Sequence, residues 1–209
     1  MYRKFEIGIP TLNRYDLLKP TLEKYQNDFS GVKIHIVDNG KQGICGESVY
    51  AMPINLGVAA SWNFLCNKIF ENADYAVILN DDIYLGYSTE VIHNAIENCG
   101  TDEFFLRSEN SWSMFVISKA MFNRIGKFDE IFYPAYYEDS DYIYRMNLAG
   151  IRQLIDKSLN PVEYRISSTY EKAPDLVNEA MQTNRERYIK KWGGLPLLEK
   201  YTMPYGTKR

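Results

Sequence analysis

The sequence predicts a single α/β domain of Rossmann-like type, with a mostly parallel central sheet flanked by helices. Three observations carry this. The run Ala76-Val77-Ile78-Leu79 is apolar without interruption by Gly or Pro, as a strand buried on both faces of a parallel sheet must be. Short strand-like runs alternate with helical periodicities through the first half of the chain. Three of those strands end in polar residues, at Asn13/Arg14, at Asp38 and at Asp82. Right-handed crossovers between parallel strands bring all their carboxyl ends to one edge, where open α/β sheets hold ligands.

Taken in order, residues 5–10 read as a strand stopped by Pro10, and 11–14 as a polar loop. Asp16 can cap a helix over 17–27, with Pro20 close enough to its first turn to be tolerated. Residues 33–37 form a second strand ending in Asp38-Asn39-Gly40, and 49–54 offer a third. Trp62, Leu65, Cys66, Ile69 and Phe70 then recur at i, i+3, i+4, i+7 and i+8, the apolar face of a helix. After the central strand, Val91, Ile92, Ala95 and Ile96 mark a helix capped by Ser88 and stopped at Cys99-Gly100. Residues 104–107 and 114–118 read as strands around a polar loop bearing Trp112, and 119–125 as a short helix closed by Gly126. An aromatic stretch, 128–137, leads into Glu138-Asp139-Ser140-Asp141 and a helix over about 139–149. Residues 152–156 and 162–166 are late strands, and a long helix over 176–192 stops at Gly193-Gly194.

A chain of 209 residues can bury a full core, and the absence of repeats, linkers and low-complexity tracts favours one domain over 1–209. Its 45% hydrophobic and 24% charged residues are ordinary for a soluble globular protein. A net charge of −3 leaves no basic footprint for nucleic acid. Cys45, Cys66 and Cys99 lack CxxC spacing and are odd in number, which predicts free thiols in a reducing compartment. Residues 1–4 are largely polar and run straight into a strand pattern, unlike a signal peptide, and no run reaches the roughly 18 apolar residues of a membrane span. A soluble, cytoplasmic chain is expected, whether whole or one domain of a longer or viral protein.

Asn80-Asp81-Asp82 closes the central strand with oxygen ligands only, which suits Mg²⁺ or Mn²⁺ bridging to phosphates. Alternation predicts Asn80 and Asp82 on one side and Asp81 on the other, so that one acid faces a ligand while its neighbour braces the loop. Ordinary turn chemistry accounts for the same residue types.

Read together, Ile9-Pro10-Thr11-Leu12-Asn13-Arg14, Val37-Asp38-Asn39-Gly40, Asn55-Leu56-Gly57 with Asn63, Asn80-Asp81-Asp82 and Glu138-Asp139-Ser140-Asp141 resemble the successive blocks of GT-A fold glycosyltransferases of the family-2 type. Lys190-Lys191-Trp192-Gly193-Gly194 is similar to the closing segment of many such sequences. The resemblance covers about residues 5–194, and the compact size is also similar to that of the capsid-glycosylating transferase domains of large algal viruses.

The resemblance implies a nucleotide-binding part over about 1–100, an acceptor side over about 101–209, and a sugar-nucleotide donor whose diphosphate is held by Mn²⁺ or Mg²⁺. Pro10, Thr11, Asn13 and Arg14 would border base and ribose, and Asp38 would accept the imide N–H of a uracil, favouring a UDP-sugar. Asn55 and Gly57 would let backbone approach the nucleotide, and Asn63 would point toward ribose or sugar. Asp82 matches the last carboxylate of the family's DxD motif and would hold the metal, with Asp81 in the middle and Asn80 where the family has an acid. Many relatives add a late His ligand, but His35 falls in a strand and His93 on a helix, as structural and surface residues respectively. Asp139 would be the catalytic base toward a hydroxyl of a glycan or glycoprotein acceptor, with Glu138 second.

Each block has a second reading. Asp38-Asn39-Gly40 can be a plain turn, and Asp139 and Asp141 can serve the helix macrodipole. Tyr133, Tyr136 and Tyr137 can be core as readily as a platform for a sugar ring. Arg165, Ser168, Thr169, Lys190 and Lys191 are late candidates for closing over the diphosphate, the lysines more simply forming a solvated helix face. A pyrophosphorylase would need a Gly-rich basic loop after the first strand, and a dinucleotide oxidoreductase a GxGxxG; neither is present. A degenerate module that only binds sugar nucleotide or glycan is the non-enzymatic alternative, prompted by Asn80.

Overall fold

Four strands of the first half, β1 (Phe5–Thr11), β2 (Ile34–Asp38), β3 (Val49–Ala51) and β4 (Tyr75–Leu79), pair in parallel. The computed structural model describes residues 4–109, 112–164 and 174–206. Next in the chain come the two-residue β5 (Ile83–Tyr84), then β6 (Phe105–Arg107), β7 (Met114–Ser118), β8 (Leu154–Ile155) and β9 (Glu163–Tyr164). The main sheet has seven strands in the order β3-β2-β1-β4-β7-β6-β8, while β5 and β9 form a separate antiparallel pair. Only β7 runs against its neighbours, pairing antiparallel with both β4 and β6. The carboxyl ends of β1, β2, β4 and β6 therefore share one rim with the start of β7.

The helices are α1 (Tyr15–Asp28), α2 (Gly57–Ile69), α3 (Thr89–Asn98), α4 (Lys119–Ile125), α5 (Glu138–Leu148) and α6 (Pro174–Trp192). Strand alternation sorts the core onto two faces. Ile7, Ile9, Val77 and Leu79 pack with Leu18 and Tyr25 of α1 and Ile92 and Ile96 of α3. Ala76, Ile78 and Phe115 face the other way, toward Trp62 and Leu65 of α2, Met121 of α4 and Tyr142 of α5. The result is a three-layer α/β/α domain, as predicted.

The differences from expectation lie at element ends. α1 begins at Tyr15 with Arg14 as its cap residue, so Asp16 sits in the first turn and pairs with Arg14 (3.3 Å) instead of capping. The strand expected over 49–54 lasts only to Ala51, and that over 152–156 shrinks to Leu154–Ile155. Of the strand expected over 162–166, Glu163–Tyr164 is formed, and 165–166 lie outside the described residues. His35 is buried between sheet and helix layers, its Nε2 2.7 Å from Glu6 Oε2 and its Nδ1 3.1 Å from Tyr50 Oη. No helix among the described residues is long and apolar enough to cross a membrane.

Candidate active site at the carboxyl rim of the sheet

A cavity of about 760 Å³ opens on this rim. The strand ends supply Pro10, Thr11, Leu12, Arg14, Asn39, Asn80, Asp81 and Asp82, and the turn before β7 supplies Trp112 and Ser113. The rest of the lining comes from Asn55, Gly57 and Trp62 around α2, from Tyr133 to Tyr136, from Glu138 and Asp139 at the start of α5, and from the first turns of α6. Of the three strand-end residues expected to meet at one pocket, Arg14, Asp38 and Asp82, the first and last line it.

Asp81 braces the rim. It accepts hydrogen bonds from the Thr11 hydroxyl and the Leu12 N–H, tying the end of β4 to that of β1. Burial raises its carboxyl to about 6; those two bonds and the Arg14 charge hold it down, while Asp82 pushes it up. The Asn80 N–H donates to Ser113 O at 2.8 Å, so the antiparallel β7 anchors the same turn from its other side. Asp81 and Asp82 both line the cavity, one as brace and both as charge.

Asp38 does not line it. Its Oδ1 accepts from Gly40 N (2.9 Å) and Gln42 Nε2 (3.0 Å), and its Oδ2 from Gln42 N (2.7 Å). The carboxylate expected to read a uracil is instead spent on its own loop, in the manner of an Asx turn. Asn39 takes the place at the cavity; its amide donates to Ser61 Oγ and its Oδ1 accepts from Leu56 N. Asn13 is exposed, left-handed (φ 56°) and outside the lining.

Asn63 is likewise turned away from the cavity. Its Nδ2 donates to Phe128 O and Glu130 Oε1, and its Oδ1 accepts from Phe128 N, each at 2.9 Å. It pins the loop before α5 to α2, a use invisible to spacing because its partner is 65 residues away. Gly57 makes a second junction. It is left-handed (φ 77°), and a Cβ there would lie 2.7 Å from Pro134 O, the acceptor of the Val58 N–H. Asn55 lines the cavity and supplies the Oδ1 that accepts from Gly57 N.

The acidic pair stands at the amino end of α5, where the macrodipole favours carboxylates. Glu138 is 6% exposed, and burial followed by the Asp139 charge pushes its carboxyl up to about 8. Burial also raises Asp139, against bonds from Ser140 N (2.6 Å) and Ser140 Oγ (3.3 Å) to its Oδ1. At neutral pH Glu138 therefore keeps its proton, and burial eases proton uptake by Asp139 beside it. Just before it, Tyr136 and Tyr137 are both left-handed (φ 75° and 74°), a costly conformation for non-glycine residues.

α6 holds that loop in place. Asn184 Nδ2 donates to Ala135 O (2.7 Å) and Tyr133 O (3.3 Å), and Arg187 donates to Ile131 O, Tyr133 O and Asn184 Oδ1. One helical repeat on, Lys191 Nζ reaches Asp141 Oδ1 (2.5 Å) and Asp129 Oδ2 (2.6 Å), and Trp192 Nε1 also donates to Asp141 Oδ1. Lys191 is 5% exposed, which corrects the solvated face expected for it; Lys190 is exposed as expected. Arg145 Nε completes the Asp141 carboxylate at 2.9 Å. The tyrosines divide: Tyr137 packs against Tyr188, while Tyr133 and Tyr136 line the cavity. Arg165, Ser168 and Thr169 lie outside the described residues.

Spacing did not single out Asn39, Trp62, Trp112, or Leu176, Glu179 and Thr183 of α6 as lining. Trp62 gave the same signal as any core position of α2, and it is in fact wedged among Trp112, Phe115 and Phe128. Among the described residues no three His, Cys, Asp or Glu side chains are grouped to hold a metal by themselves. Asp82 with the Asn80 amide is a one-carboxylate, oxygen-only set. That fits Mg²⁺ or Mn²⁺ held jointly with substrate phosphates, the usual mode for these ions.

No family model matches the chain, and no curated protein matches it in sequence. Solved structures do match. The mannosyltransferase PcManGT from Pyrobaculum calidifontis, in complex with GDP-Man and Mn²⁺, superposes with a TM-score of 0.69 at 13% identity, over 94% of this chain and 67% of that one. GalNAc-T7 with UDP, GalNAc and Mn²⁺ gives 0.64 at 10% identity over 91% of this chain, which spans 48% of that longer one. A Drosophila galactosyltransferase 7 mutant with manganese, UDP-Gal and xylobiose gives 0.53 at 13% identity, over 81% and 73%. At such identities the likeness is one of fold, and the fold is GT-A.

Proposed function

We propose that the protein is a glycosyltransferase that moves a sugar from a nucleoside-diphosphate donor to a hydroxyl of a glycan or glycoprotein acceptor. The observation that carries this reading is the meeting of Asn80-Asp81-Asp82 with Glu138-Asp139, distant in sequence, around one cavity at the carboxyl rim. The Mn²⁺ and nucleotide sugars bound by the structural neighbours support it.

Asp82 and Asn80 would hold a divalent cation, which neutralises charge on the departing diphosphate. Arg14, buried beside Asp81, adds a fixed positive charge to the same wall. As the acceptor oxygen bonds to the anomeric carbon, the carbon–oxygen bond to the diphosphate breaks and its electron pair leaves with the nucleotide. In an inverting displacement the acceptor proton passes to the Asp139 carboxylate. Glu138, already protonated, leaves that carboxylate without a second negative charge beside it. UDP is the first nucleotide to test, but since the Asp38 carboxylate is engaged by its own loop, the base is read by other groups.

A thermal-shift titration with UDP, GDP and CDP, each with and without Mn²⁺, tests the donor side. One nucleotide is expected to stabilise the protein in a metal-dependent way, and Asp82→Ala to abolish the metal-dependent increment. Asp139→Asn is expected to spare that shift while lowering release of nucleoside diphosphate from the matching sugar nucleotide by at least about 100-fold, the scale of general base catalysis. Nucleotide binding without release from any donor, with glycan acceptors present, would instead identify a binding module, the reading that Asn80 in place of an acid keeps open.

A further inference from the structure

α6 presents two stripes with different partners. Asn184, Arg187, Tyr188 and Lys191 grip the loop before α5 and α5 itself. Leu176, Glu179, Ala180 and Thr183, at i, i+3, i+4 and i+7, line the cavity. Tyr133, 48% exposed, and Leu176, 68% exposed, stand at this part of it as large apolar surfaces that the described residues leave open. Glu179 and Thr183 set a carboxylate and a hydroxyl among them. The Tyr133 and Ala135 carbonyls are bound by Asn184, so the ring is carried on a fixed backbone.

Resting on the glycosyltransferase reading, we propose that the Tyr133 and α6 wall is the acceptor subsite and that it takes the terminal pyranose of a glycan, not a peptide side chain. A pyranose offers an apolar C–H face and a belt of hydroxyls, the complement of an aromatic ring and an aliphatic side chain flanked by a carboxylate and a hydroxyl. Extended peptides commonly bind by pairing along a strand edge. This wall is the side of a helix and offers no strand edge, its backbone beyond the first turn being bonded within it. The acidic pair that would accept the hydroxyl proton lines the same cavity.

The test uses the full chain with the nucleotide sugar found in the donor screen, and two kinds of probe acceptor: a panel of p-nitrophenyl pyranosides and a Ser/Thr-rich peptide. Transfer to at least one pyranoside is expected, with none to the peptide. Tyr133→Ala should raise KM for that pyranoside about tenfold, the worth of an aromatic platform, and Thr183→Val a fewfold, relative to any change in nucleotide Kd. Transfer to the peptide alone, or a pyranoside KM unmoved in both variants, overturns the proposal. A parallel rise in KM and nucleotide Kd does so too, since the wall would then serve the donor. Loss of metal-dependent nucleotide binding in the parent protein, read before any acceptor is added, is the separate failure of the glycosyltransferase reading.

Discussion

At the scale of single residues, the same side-chain types serve ligand and architecture, and only coordinates separate the two uses. Asp38 and Asp82 both follow buried strands, yet the first is wrapped by Gly40 and Gln42 while the second lines the cavity. Asn63 and Asn55 both belong to one motif, yet only Asn55 reaches the cavity. Burial of Glu138 yields a measurable consequence. Its folded pKa of about 8 lies above the ordinary 4.5, so the folded chain keeps a proton that the unfolded chain releases. Stability from this group is therefore full below about 4.5 and is lost as pH rises toward 8. Glu138→Gln removes that loss, and urea unfolding should show it gaining on the parent across the window by on the order of 4 kcal/mol. A constant difference between the two proteins at all pH values would show that Glu138 is not held protonated. What a sequence could convey here was the residue list; which carboxylates bond to their own loop depends on short backbone geometry that has no periodicity.

At the scale of elements, the strands and helices that could be read directly were those whose packing imposes a period. β4 is apolar at every position because both its faces are covered, and α2 repeats at helical spacing because one face meets the sheet. β5, β8 and β9, two residues each, are too short to show any period. The reversed direction of β7 was hidden as well, since a buried strand reads the same either way. α6 carried the least visible instruction: its anchoring stripe is polar, with Asn184, Arg187 and Lys191 where a packed helix ordinarily shows aliphatic residues. Lys191→Met should cost about 3 kcal/mol, because the fully buried Asp141 then keeps only Arg145 as counter-charge and the half-buried Asp129 loses its partner. Lys190→Met, on the exposed face, should stay within about 0.5 kcal/mol of the parent. Chemical denaturation of the two variants checks both, and equal effects would mean the interior ion pair has no special worth.

At the scale of the whole molecule, the strand-end logic predicted that polar strand ends collect on one rim, and they do, because parallel topology leaves little freedom about where chain ends gather. The joint between the strand-end half of the rim and the loop before α5 was not foreseeable. It is made by Gly57 against Pro134, by Asn63 around Phe128, and by α6 reaching back over the loop. The centre of the joint's ionic part is sealed: Asp141 has no exposed surface, unlike surface pairs such as Lys24–Glu163. Dissolved ions weaken attraction between exposed charges over a Debye length of about 8 Å at physiological strength, but they do not penetrate a packed interior. Brine should therefore loosen the periphery first and leave the acidic pair seated. Circular dichroism melts in 0.1 and about 1 M NaCl should show the Lys191→Met penalty undiminished at the higher concentration.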